Sequence, residues 1–283
     1  MKTEEHFNNI LDDIISKIED EKLLKDFFKN IGETITFGKQ YSFLNILSIL
    51  SQKEKAIYTE GFHTWRKKGR FPKKNTGIKI FAPVFKTIKK EDEEENEQEE
   101  QDEKKKLLLG FKLITVFDYT DTKGEKIQEI EEKIIKRNLY KKNAFGSPSE
   151  TFEKTKKLMR YVIRQGYKLR FKDTGDAGGF TNGKEITIDK SFKKQSLAVL
   201  CHEYAHCKLH FNKKARSIDN IQKEVEAGIV SAIVIAKAGL NINKEAGYIS
   251  FYAQQQDKEK KRKLIFEAFK FALPVAKEIL TNI

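Results

Sequence analysis

The sequence predicts an α+β protein in two parts. An N-terminal α+β domain over residues 1–145 is followed by a domain over 146–283 that joins a small sheet to a metal-binding helix. Three observations predict this. Apolar residues recur at helical spacing in several long segments. Short β-branched and aromatic runs, bounded by Gly, Pro and Asn, stand between those segments. Cys201-His202-Glu203-Tyr204-Ala205-His206-Cys207 reads H-E-x-x-H.

The first helical segment is residues 4–29, where Phe7, Ile10, Leu11, Ile14, Ile15, Ile18, Leu23, Leu24 and Phe27 form one stripe, with a break expected near Glu19–Glu21. Tyr41–Gln52 is a second, largely apolar helix on which Ser42 and Asn45 are expected to be core groups. Residues 61–90 hold ten Lys or Arg and no acid, with Phe62, Trp65, Phe71, Phe81 and Phe85 interleaved. Phe62–Lys68 predicts a short helix ended by Gly69, and Ile78–Ala82 a strand closed by Pro83. Charge for phosphates with rings for bases is what a single-strand nucleic-acid groove needs. Aromatic core under a solvated lysine face fits the composition equally.

Residues 91–103 carry ten acids and neither Lys nor Arg, a low-complexity insert expected to be disordered over about 90–106. It interrupts two strand-like segments, Ile78–Val84 and Leu107–Tyr119, as an insertion in a hairpin. Asp121–Gly124 reads as a turn, and about 125–142 as a charged linker helix with a thin apolar stripe. The second domain opens with a helix at Glu150–Gln165, then a strand at Tyr167–Phe171. Ala177–Thr181 and Glu185–Asp189 read as a hairpin across Asn182-Gly183. An edge strand there would hold an extended substrate by main-chain pairing. Asp219–Ala238 and Lys258–Leu280 read as helices, the last kinked at Pro274.

On a helix, His202 and His206 lie one turn apart and can grip one ion, with Glu203 beside them. Catalytic zinc takes three protein ligands. Glu224 shares a helix face with Ala227 and Gly228, so it is the expected third ligand ahead of Glu226, which points elsewhere. His210 is expected to support the ligands or to end the helix. Zinc would lower the pKa of its water towards ~7 and polarise a carbonyl; Glu203 is the general base that takes the proton. Tyr248 and His210 are the candidate oxyanion donors. Cys201 and Cys207 point away from the histidine face, which argues against a structural zinc and against a disulfide.

The 283 residues carry a net charge of +13. Outside the acidic insert, 55 basic residues face 32 acidic ones. An excess of that size points to nucleic acid or another anionic surface. No apolar run approaches the ~20 residues that span a bilayer. The acidic, amphipathic N-terminus is unlike a signal peptide. With two cysteines and no disulfide expected, a cytoplasmic location fits best.

Several strings give a resemblance. They are Tyr41-Ser-Phe-Leu-Asn-Ile-Leu, Gly61-Phe62-x-x-Trp65, Gly69-Arg70, Gly77-Ile78-x-Ile80-x-Ala82-Pro83, Phe111 and Val116-Phe117-Asp118. With His202-Glu203-x-x-His206-x-x-Leu209-His210 and Glu224-Val225-Glu226-Ala227, the chain resembles the ArdC-type antirestriction proteins over most of residues 30–250. The second set is shared more loosely with ImmA/IrrE-like peptidases. The resemblance implies an N-terminal domain that binds single-stranded DNA and a zincin-like metallopeptidase domain. It implies Zn²⁺ on His202, His206 and Glu224, and a role in shielding mobile DNA from restriction. Trp65, Arg66, Lys67, Lys68, Arg70, Lys73 and Lys74 are the expected DNA contacts. The alternative is a regulatory zinc protease acting on a protein substrate such as a repressor, its basic face used only for targeting. Two features depart from the pattern: the acidic insert, and Gly228 where an acidic or amide residue is common.

Overall fold

The computed structural model describes residues 2–87, 106–142, 148–175, 177–191, 196–211 and 216–283; the acidic segment 91–103 lies outside them. Helices α1 (Lys2–Ile18) and α2 (Glu21–Phe37) form the expected broken pair, separated where Asp20 caps α2 by accepting the Leu23 amide. Both bury one face: Ile10, Ile14 and Ile18 from α1, Leu24, Phe27, Phe28 and Ile31 from α2. Helix α3 (Phe43–Gln52) follows, capped by Ser42. Strand β1 (Thr59–Gly61), helix α4 (Phe62–Lys67) and strands β2 (Arg70–Pro72) and β3 (Ile78–Thr87) lead to β4 (Lys106–Asp118). Strands β3 and β4 are the expected antiparallel hairpin, and β1 joins the far end of β4, giving the order β1-β4-β3.

Strand β5 (Thr122–Gly124) corrects one expectation. The Asp121–Gly124 turn is in part a strand, paired with β2 in a two-stranded ribbon. Three residues are too few to show the alternation by which strands are recognised. Helix α3 lies along β3 through two side-chain amides. Asn45 accepts from the Phe81 N–H and donates to its carbonyl, at 2.8 and 2.9 Å. Gln52 does the same at Lys79, at 2.9 and 2.8 Å. Asn45 is buried, as expected; Ser42 is exposed and serves as the cap of α3, not as a core group.

Helix α5 (Gln128–Lys142) and helix α6 (Pro148–Arg164) precede β6 (Lys168–Lys172), β7 (Gly179–Thr181) and β8 (Glu185–Asp189). The predicted β7–β8 hairpin forms, and β6 pairs with β8 in parallel, giving the order β6-β8-β7 with β7 at an edge. Helices α7 (Ser196–His210), α8 (Asn220–Lys237), α9 (Asn243–Gln254) and α10 (Lys258–Asn282) complete the chain. Helix α9 had no counterpart in the sequence reading. No described helix is long and apolar enough to cross a membrane.

The division at residue 145 does not mark a break in the core. One cluster of buried apolar residues runs from Ile10 and Phe27 through Phe81 to Ile233, Phe269 and Ile279. Helix α8 is buried along residues 225–237 because α2, α7, α9 and α10 surround it. Gly32 lets α2 and α8 meet: a Cβ there would come within 2.8 Å of the Lys237 Cβ. The expected linker helix is also anchored, since Arg137 of α5 forms a buried ion pair with Glu33 of α2.

Candidate metal centre and basic surface

Helix α7 is held by its apolar side. Leu197, Leu200, Cys201, Tyr204 and Ala205 are fully buried, and the Tyr204 hydroxyl donates to Glu278 of α10 at 2.6 Å. That leaves His202, His206 and His210 on the cleft side. Asp219 caps α8 by accepting the Gln222 amide at 2.7 Å, which places Glu224 in the opening turns, opposite those histidines.

The three expected ligands come together. Nε2 of His202 and Nε2 of His206 are 3.0 Å apart. Glu224 places Oε2 3.2 Å from the first and Oε1 3.4 Å from the second. One donor atom from each lies within 4.8 Å of the others, the only such group among the described residues. Bonds from His202 and His206 hold the Glu224 carboxyl well below its ordinary range. Burial pushes the Glu203 carboxyl up, against the opposing pull of both histidines. Two imidazoles and a carboxylate with room for a further ligand suit a divalent ion of the zinc type.

Behind the ligands runs a fixed chain of polar groups. His206 Nδ1 is 2.9 Å from His210 Nδ1, and His210 Nε2 is 3.0 Å from Glu226 Oε2. Glu226 also accepts from Arg216 at 2.5 Å and Gln222 at 3.0 Å. Burial lowers the pKa of His210, against the opposing pull of the Glu226 carboxylate. Burial also works against ionising Glu226, but the bonds from His210, Arg216 and Gln222 outweigh it and keep the carboxylate charged. The Glu226 carboxylate can only accept, so Nε2 of His210 is the donor to it. A His206 that ligates through Nε2 would carry its proton on Nδ1 and donate it to Nδ1 of His210. This places Glu226 behind the ligands and removes His210 as an oxyanion donor. Cys201 and Cys207 are free and buried, Cys207 lying 3.0 Å from the Thr181 hydroxyl.

A cleft of about 620 Å³ opens over this centre between β7 and α9, with Gly228 and Tyr248 in its lining. The Gly178 carbonyl and the Asn182 amide bond towards β8. Alternation then turns the main-chain groups of Gly179 and Thr181 to the free edge. A Cβ at Gly179 would lie 2.6 Å from Val199 and 3.5 Å from Glu203, so glycine lets the strand lie against α7 beside Glu203.

The basic segment divides. Trp65 is 0% exposed, packs on Tyr119 and Ile130, and donates Nε1–H to the Phe117 carbonyl at 2.8 Å. It offers no ring face to a base. Arg70 is buried against Tyr119 and donates to Thr122 at 2.7 Å and to the Gly124 carbonyl at 3.1 Å. Both expectations are corrected: these residues build the domain. Arg66, Lys67, Lys68, Lys73 and Lys74 are exposed. The exposed rings of the segment are Phe62, Phe71 and Phe85. Phe71 is 55% exposed and stands opposite Lys123 in the β2–β5 ribbon.

Residues 4–117 match the family described as the N-terminal domain of anti-restriction factor ArdC. No curated protein matches the chain. Among solved structures, the chain is similar to the antirestriction ArdC protein from R388 plasmid in its Mn(II)-bound form. The TM-score is 0.60 at 16% identity, over 97% of this chain and 96% of that one. The metal-free form gives 0.54 at 20% identity, over 86% and 85%.

Proposed function

We propose that this chain, ArdC-type in its N-terminal domain and its fold, is a single-strand DNA-binding antirestriction protein with a metal-dependent peptidase centre. The convergence of His202, His206 and Glu224 beside Glu203 in an open cleft carries the peptidase part. A bound divalent ion would supply Lewis acidity to a peptide carbonyl and to water. Zinc suits the donor set best, and a similar fold binds Mn(II). Glu203 takes the proton from water and passes it to the leaving nitrogen. His206, fixed through His210 and Glu226, keeps its Nε2 lone pair aimed inward. The free edge of β7 orients an extended chain through Gly179 and Thr181. On the other half, Arg66, Lys67, Lys68, Lys73 and Lys74 meet phosphates, and Phe71 and Phe62 stack on bases.

A second reading keeps the basic face for targeting alone and makes proteolysis the activity; the built cleft favours it. The full-length protein separates the two. Anisotropy against labelled single-stranded and duplex DNA over a salt series should show single-strand preference and a steep salt slope. Phe71→Ala should cost about 1–3 kcal/mol of binding. DNA protection that survives Glu203→Gln supports the binding role, and protection lost with it supports proteolysis. Flat traces at low salt sink the DNA reading.

A further inference from the structure

Three aromatic side chains line the cleft with about half their surface open: Phe180 at 49%, Phe211 at 52% and Tyr248 at 47%. Rings left open at a concave site mark where a partner covers them. Two are held by neighbours. Phe211 lies against the β7–β8 turn, where a Cβ on Gly183 would come within 2.5 Å of the Phe211 Cβ. Tyr248 stacks on Tyr252 with ring centres 6.3 Å apart and planes at 28°. Held rings lose little freedom when a partner arrives, so their burial is retained as binding.

Their positions bracket the metal ligands. Phe211 directly follows His210, at the C-terminal end of α7. Tyr248 lies one turn beyond Glu245 on α9, and Glu245 lines the cleft together with His202. Between them runs β7 with the outward main-chain groups of Gly179 and Thr181. The space therefore fits an extended backbone with a large side chain to either side of the centre.

We infer that the cleft takes an extended polypeptide with bulky apolar side chains on both sides of the bond over the metal ligands. Tyr248 covers one side chain and Phe211 the other. This rests on the metallopeptidase reading and adds the substrate class to it. Tyr248, expected from the sequence as an oxyanion donor, becomes a specificity residue.

The test uses the full-length, zinc-loaded protein and fluorogenic peptides that carry Phe or Leu, Ala, or Asp on each side of one bond. Apolar-flanked peptides should be cut best. Phe211→Ala and Tyr248→Ala should each lower kcat/KM on them roughly ten-fold, while Ala-flanked peptides change little. Both side chains are exposed, so a thermal melt should show the fold intact. Equal losses on every peptide, or a preference for Asp, overturns the inference. Binding of the same peptides to Glu203→Gln, read by anisotropy, gives an arm without turnover. If nothing is cut but apolar peptides bind and Phe211→Ala weakens them, the peptidase reading fails and the cleft assignment stands. Neither cutting nor binding overturns the assignment.

Discussion

His210 has both ring nitrogens engaged, one by His206 and one by Glu226. Removing it frees the His206 ring to rotate and to change tautomer, while Glu226 keeps Arg216 and Gln222. His210→Ala should therefore weaken zinc binding about 10- to 100-fold with the fold retained. Competition against a chromophoric chelator reads this directly, and unchanged affinity would refute the role. The meeting of His202 and His206 was legible because i, i+4 spacing on one helix puts two imidazoles together whatever the rest does. The Trp65 assignment failed for a physical reason. A large ring between lysines in sequence can lie on either side of a short helix, and only packing on Tyr119 and Ile130 decides which.

At the scale of elements, the sheet beside α7 depends on one missing side chain. A Cβ at Gly179 meets Val199 at 2.6 Å and the Thr187 carbonyl at 2.7 Å, so any larger residue must push β7 off the helix. Gly179→Val should destabilise by about 1–3 kcal/mol, measured as a lower midpoint in urea at constant slope. An unchanged midpoint would show that the strand can move freely. The β7–β8 hairpin was legible from Asn182-Gly183, whose glycine has φ +85. The parallel β6–β8 pair was not, because nothing local fixes which distant strand a short run joins. Helix α9 was missed as well: its buried face is only Ala246, Ile249 and Ala253, too sparse to show a period.

For the whole molecule, the shared core sets the behaviour. Helix α8 carries Glu224 and packs on α2 from the other half, so residues 1–145 and 146–283 should not separate into independent folding units. Calorimetry on the full chain should give one cooperative transition. Zinc at about 100 times its Kd should raise the whole of it by ~2.7 kcal/mol. Two transitions, only one of them metal-sensitive, would refute this. Composition gave no sign of the union, because a contact between distant helices leaves no local pattern. The amide clasp of α3 has a consequence at this scale too. Along β3, alternation turns Lys79, Phe81 and Pro83 away from β4. Two of these are already matched by Gln52 and Asn45, and the third has no N–H to give. A long, aromatic-rich hairpin would otherwise be a template for a neighbour's strand. From Lys79 to Phe81 this side of it has no free main-chain group with which to recruit one, and Pro83 adds no donor, which disfavours edge-to-edge pairing of copies there.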